Sequence, residues 1–294
     1  MSRRHLALLT LGVVAVSFAS ILIRWAKAPA LSVAFYRNAM AAAVLLPLAL
    51  VRHPDEIRGL TRRQWGVALL AGTLLAIHFT LWVPSLSYTT VAASTVLVTT
   101  QPVWVALIER VMGERASRAA VIGIALSLVG AVAISGGDFA LSRRAAFGDL
   151  LALLGAVAAA GYFVTGRNLR QRLSLPTYTG IAYTTCAVVL AVVMLASGRP
   201  FTGFEPRVWG LFALMALVPQ ILGHTVFNYL LGHVKTGVVA IGVTGEPIGS
   251  TLLALLFFQE VPRWTAFPGG ALILAGIYVT VSAQSRREPV APID

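Results

Sequence analysis

Two histidines, a glutamate and a glutamine stand inside long apolar runs, where such side chains are costly unless they face a cavity or a partner. They are His78, His224, Glu246 and Gln101. His78 is followed four residues later by Trp82, and His224 by Asn228. On helices of about 3.6 residues per turn each histidine therefore shares a face with that neighbour. The set offers hydrogen bonds and an aromatic wall, suited to the amino and carboxylate groups and the apolar side chain of an amino acid. Two histidines bonded to each other across a helix interface are the competing reading.

Gln101 and Glu246 each precede a proline, Pro102 and Pro247. Proline removes an amide and frees a carbonyl one turn earlier, so both positions are expected helix breaks. Glu246 could bind a substrate amine or carry proton coupling; it could also cap the broken backbone or pair with Arg37. Gln101 cannot titrate, so any coupling rests on one half of the chain. Arg37, two turns into its run, is a charge partner for Glu246 or a carboxylate, although snorkelling to the outer interface is the expectation. Trp82, Tyr88, Trp104 and Tyr162 either line a pathway by stacking on substrate or anchor the interfaces. Glu114 and Glu260 read as helix-end and turn contacts, and Gly123, Ser127, Gly130, Gly270 and Gly276 as small residues that let helices pack closely. No phosphate-cradling loop, metal-ligand cluster or nucleophile with a spaced base is present, so no cofactor, no metal and no enzymatic activity are expected. Cys186 is the lone cysteine and has no partner for a disulfide.

The elements that position these residues follow from hydropathy. Hydrophobic residues make up 57% of the 294 positions and charged ones 12%, against roughly a half and a quarter in soluble domains. Apolar runs long enough to cross about 30 Å of hydrocarbon recur at residues 6 to 23, 31 to 51, 65 to 84, 90 to 109, 118 to 135, 148 to 166, 177 to 197, 208 to 230, 237 to 258 and 265 to 283. Lipid leaves no backbone group unpaired and the runs lack strand alternation, so an all-α integral membrane protein of ten transmembrane helices is expected. The basic start and apolar stretch of residues 1 to 30 imitate a signal peptide but are taken as the first, retained span.

The net charge of +12 is scattered between the runs, which argues against a nucleic-acid partner. Of the 23 Lys and Arg, fifteen fall in one set of alternate connections, which includes Arg3, Arg63, Arg115, Arg167, Lys235 and Arg287. Seven fall in the other, from Arg24 to Arg263, and Arg37 lies within a run. Basic residues favour the inside, so both termini are expected in the cytoplasm, in a multi-pass protein of the cell inner membrane. Expected partners are the bilayer and a small molecule; the oligomeric state stays open, a monomer being compatible.

The halves 1–145 and 146–294 resemble each other. Trp65-Gly66 pairs with Trp209-Gly210, His78 with His224, Gln101-Pro102 with Glu246-Pro247, Glu114 with Glu260 and Gly130 with Gly276. Five spans per copy is an odd number, so the second copy enters the membrane from the opposite side. Inverted repeats are common in secondary transporters working by alternating access.

At these residues the chain resembles the EamA-type permeases of the drug/metabolite transporter superfamily. The segment Gln101-Pro102 to Gly113-Glu114 with Gly123 and Gly130 is similar to the family's proline, glycine-glutamate and glycine spacing. Glu246-Pro247 to Gln259-Glu260 with Gly270 and Gly276 repeats it. Two departures stand out: Tyr183 occupies the rough equivalent of Arg37, and Gln259 stands where glycine would be usual. The aromatic-rich third, fourth and sixth spans look most like amino-acid exporters of the YddG type. The resemblance implies export of amino acids and related metabolites. An importer or exchanger of another metabolite, such as a nucleotide-linked sugar, is the alternative, with a membrane enzyme or receptor behind it. Only Arg37 would serve an anion exchanger, and no catalytic cluster serves an enzyme.

Overall fold

The structure, a computed structural model, describes residues 1–89, 91–135, 142–259, 261 and 264–285. Glu260, Arg263, Arg286 and Arg287 lie outside the described residues. Every described element is helical: α1 (Arg3–Ala26), α2 (Ala30–Arg52), α3 (Pro54–Arg58), α4 (Arg62–Ser85), α5 (Val91–Val98), α6 (Gln101–Val111), α7 (Arg118–Ser135), α8 (Arg143–Arg170), α9 (Leu175–Ala196) and α10 (Pro206–Met215), followed by a π-helix (Ala216–Thr225), α11 (Val226–Leu231), α12 (Thr236–Val243), α13 (Glu246–Phe258) and α14 (Ala266–Ser285).

Local chemistry sets several of the helix starts. Thr61 accepts from the Gln64 amide while Gln64 reaches back to the Thr61 amide, a reciprocal cap for α4. Ser142 and Ser174 cap α8 and α9 through their hydroxyls. Pro206 opens α10, where its missing amide would have had no partner in any case. Seven helical stretches are long and apolar enough to cross a membrane: α1, α2, α4, α8, α9, the continuous 206–231 stretch and the α12–α13 pair. Residues 118–133 and 267–283 form shorter apolar helices, and the fourth run is divided into α5 and α6.

The two divided stretches break at matching places. Thr99 and Thr100 form a turn before Gln101-Pro102, and Thr244 and Gly245 form one before Glu246-Pro247. Each proline then sits in the first turn of the helix that follows. Helix α4 packs on α8, α2 on α9, α1 on the π-helix and α13, and α7 on α14. The last pair crosses at glycines: a Cβ on Gly123 would lie 2.7 Å from the Gly276 carbonyl, and one on Gly276 2.6 Å from the Gly123 carbonyl. Large apolar side chains such as Val51, Val111, Leu256 and Tyr278 remain on the outside of the bundle. A perimeter of this kind is what lipid requires and water does not favour.

Candidate functional site

Six helical stretches converge on a cavity in the middle of the bundle. Val16 and Ala19 of α1 line it, with Leu75, His78 and Trp82 of α4, Ala159, Tyr162 and Phe163 of α8, and His224 and Phe227 around the end of the π-helix. The two broken stretches supply Val98, Thr99 and Gln101 on one side and Val243 and Glu246 on the other. Its free volume is about 30 Å³, room for a water or two rather than for a metabolite, whose pockets run to hundreds of Å³.

His78 donates through Nδ1 to the Gly155 carbonyl at 3.0 Å, which leaves Nε2 as its bare acceptor. Its ring stacks on Trp82 at 5.7 Å and 13°, and lies 6.5 Å from the ring of His224. The two histidines therefore meet without bonding to each other. Ser17 and Ser250 hydroxyls donate to the Glu246 backbone carbonyl, at 3.5 and 2.8 Å. Its carboxylate makes no ion pair with Arg37 among the described residues and faces the cavity instead. Trp82 Nε1, Gln101 Nε2 and His224 Nδ1 are buried without a hydrogen-bond partner among the described residues. A buried polar atom left unpaired costs about 1–3 kcal/mol, so this wall is built to be met by something polar.

Behind the cavity runs a polar network that the sequence does not reveal. Asn228 accepts from Tyr162 at 2.9 Å, donates to the His224 carbonyl at 2.8 Å and to the Tyr183 hydroxyl at 3.3 Å. Tyr183 meets Thr225 at 3.0 Å, and Thr225 donates to the Gln220 carbonyl at 3.2 Å. Gln220 then bridges Asn38 at 3.0 Å and Arg37 at 2.9 Å. Asn38 beside Arg37, and Gln220 after Pro219, are visible in the sequence as polar residues in apolar runs. The π-helix that turns Gln220 and Thr225 to the same side is not. Such helices are uncommon and recur at functional sites.

The candidate residues thus divide. His78, Trp82, Gln101, Tyr162, His224 and Glu246 meet at the cavity, and Asn228 stands directly behind it. Tyr88 lies past the end of α4, 41% exposed and edge-on to Phe147. Trp104 does not line the cavity and donates to Thr100 one turn back. Pro247 is buried under the break, while Pro102 lines a second space. The snorkelling expected of Arg37 is overturned: the side chain is fully buried, because Gln220 and the Phe79 ring, 4.5 Å from its guanidinium carbon, hold it inside the bundle.

The second space is a vestibule of about 1050 Å³ bounded by α6, α7, α12 and the ends of α8 and α14. It carries Glu109, Glu114, Arg115, Arg118, Arg167 and Lys235. Arg167 bridges Glu109 at 3.0 Å and Glu114 at the helix end. That hydrogen bond holds the Glu114 carboxyl below its usual range.

A bundle of apolar helices around an enclosed centre that holds His78, His224 and Glu246 has the make-up of a membrane protein with an internal site. The model of the EamA-like transporter family matches this chain twice, over residues 4–136 and 146–282. The chain belongs to the EamA-like transporter family. An uncharacterized transporter of Archaeoglobus fulgidus is 29% identical over 295 residues, covering 96% of this chain and 99% of its own. A solved crystal structure of 19% identity superposes with a TM-score of 0.78 over 98% of this chain and 100% of the other, a likeness of fold.

Proposed function

We propose that the chain is a secondary exporter of amino acids and related small metabolites, working by alternating access in the cell inner membrane. In this reading ten helices cross the membrane as two inverted five-helix repeats, both termini are cytoplasmic, and substrate binds where the repeats meet. The observation that carries it is the pairing at the cavity: His78 faces His224, and Gln101 and Glu246 open the second halves of the two broken stretches. Broken helices at mid-membrane between repeats are the usual sites of secondary transporters.

Access from the inside is supported by the vestibule. It is lined by Arg115, Arg118, Arg167 and Lys235, and in this reading, since basic residues favour the inside, it is the cytoplasmic opening. Substrate would enter there and reach the cavity past Pro102 and Val105. The narrowness of the cavity means that binding must be accompanied by movement of the half-helices. Glu246 is the group through which a proton would be exchanged.

The test is efflux of preloaded radiolabelled aromatic and aliphatic amino acids from proteoliposomes holding the purified protein, with and without a proton gradient. Saturable flux, absent from empty vesicles and lost when His78, His224 and Glu246 are replaced together, is expected. If Glu246 couples protons, Glu246→Gln alone abolishes the gradient dependence. Folded protein that moves no amino acid in either direction refutes the reading.

A further inference from the structure

Arg37 is the largest fully buried side chain among the described residues. Its Nε donates to Gln220, whose amide is in turn fixed on Asn38, so one edge of the guanidinium is used and its plane is set. The opposite fork is bare: neither Nη1 nor Nη2 has a hydrogen-bond partner among the described residues. A cation–π contact with Phe79 offsets on the order of 2 kcal/mol of desolvation, whereas burying a charge costs several. The two free nitrogens are the pair that binds a carboxylate in parallel, bidentate fashion.

The bare fork is close to the cavity. Phe79 stands against Arg37 and lies 5.7 Å from the His224 ring and 4.8 Å from the His78 ring, both cavity walls. One aromatic ring thus touches both the guanidinium and the two histidines of the cavity wall. On the cavity side the unpaired atoms include two more fixed donors, Trp82 Nε1 and Gln101 Nε2. Glu246 is the lining residue that bears a carboxylate.

We propose that Arg37 is the carboxylate-recognition residue of the cavity, reached when the Phe79 ring turns aside, and that the substrate class is a monocarboxylate-bearing metabolite. Among the described residues Arg37 is the cation beside the cavity whose fork is bare, since Arg170, behind Asn228, donates to the Asn228 and Leu173 backbone carbonyls; one free fork matches one negative charge. A phosphate dianion or a nucleotide-linked sugar would need more. Glu246, across the same space, meets the ammonium when the ligand is a zwitterion. This inference rests on the transporter reading only in that the ligand enters through that cavity.

Isothermal titration of the purified full chain in chloride-free buffer with matched pairs tests it: 3-phenylpropionate against its amide, and leucine against leucinamide. Wild-type protein is expected to bind each acid at least tenfold more tightly than its amide. Arg37→Gln brings the members of each pair within about twofold, and Arg37→Lys restores part of the preference, since a point charge lacks the fork. Should Arg37→Gln not fold, Phe79→Ala decides: it leaves the arginine in place and raises acid affinity while leaving the amide's unchanged. The proposal is overturned if the wild type does not separate acid from amide. It is equally overturned if Arg37→Gln still does, if Phe79→Ala changes neither affinity, or if chloride alone gives the saturable response. Acid preference in a protein that moves no amino acid would sink the export reading and leave this one; amino-acid flux without acid preference does the reverse.

Discussion

Replacing Gly123 by alanine tests whether α7 and α14 are held as a fixed scaffold. The added Cβ would sit 2.7 Å from the Gly276 carbonyl oxygen and against the Thr280 hydroxyl, where ordinary contact begins at 3.4 Å. The shortfall is 3.4 − 2.7 = 0.7 Å, and a backbone carbonyl cannot rotate out of the way, so the two helices must separate by about that much. A gap of ~0.5–1 Å forfeits a quarter to a half of each dispersion contact it opens, and overpacking costs ~1–3 kcal/mol. Alanine also gains about 1 kcal/mol of helix propensity over glycine, which would mask part of the loss. Gly66 removes that ambiguity: it lies in α4, and a methyl added there would meet nothing within 4 Å, so Gly66→Ala carries the gain without the clash. Both variants are unfolded by SDS titration in mixed micelles, followed by far-UV circular dichroism. Gly123→Ala is expected to be less stable than Gly66→Ala by ~1–3 kcal/mol, the steric cost alone. If the two variants agree within about 0.5 kcal/mol, the close crossing at Gly123 and Gly276 is not a stabilising contact and the reasoning is wrong.

Three shorter expectations use the same unfolding measurement. Gln259 ends α13 in the left-handed region, with φ of 56°, while Gly113 takes φ of 89° after α6. A side chain there costs ~1–2 kcal/mol and glycine returns part of that in entropy, so Gln259→Gly should stabilise by up to about 1 kcal/mol; destabilisation would refute the strain. Asn228→Ala strands the Tyr162 hydroxyl, which donates to the Asn228 side chain, and should cost ~1–3 kcal/mol; a neutral result would mean that the network behind the cavity is dispensable. Burial pushes the Glu56 carboxyl up, but hydrogen bonds from Thr177 and Ser174 outweigh it and hold it below the ordinary glutamate value of 4.5. Its folded value being the lower one, Glu56 stabilises fully above about pH 4.5, and the contribution is lost as pH falls through the folded value. Glu56→Gln should therefore flatten the acid limb of the stability profile, and an unchanged limb counts against the α3–α9 contact.

Much of the helical layout is legible in the sequence because hydropathy and backbone pairing act on it directly. Helix occupies each apolar run, and the breaks before Gln101-Pro102 and Glu246-Pro247 follow from the covalent chemistry of proline. The site is legible only as a set of costly polar residues. Their sorting depends on packing: Tyr88 and Trp104 have the same composition signal as Trp82, yet of the three only Trp82 lines the cavity, stacked on His78. Arg37 reads as a surface group because snorkelling is the cheap solution near a helix end. What reverses it is the approach of Gln220 from a segment 183 residues away in sequence, a contact that no local pattern encodes.

The π-helix at Ala216–Thr225 stores a choice of register. In its present winding Thr225 stacks over Gln220, five residues back, as the 3.2 Å bond from the threonine hydroxyl to the Gln220 carbonyl records. Wound as an ordinary α-helix, the same chain would set His224 over Gln220, four residues back, and turn Thr225 aside. The imidazole would leave the cavity wall for the arginine side, and the segment would lengthen toward about 1.5 Å per residue. A single tightening of this coil would thus work as a vernier, exchanging one side chain for the next at a fixed mark while one end of the helix advances.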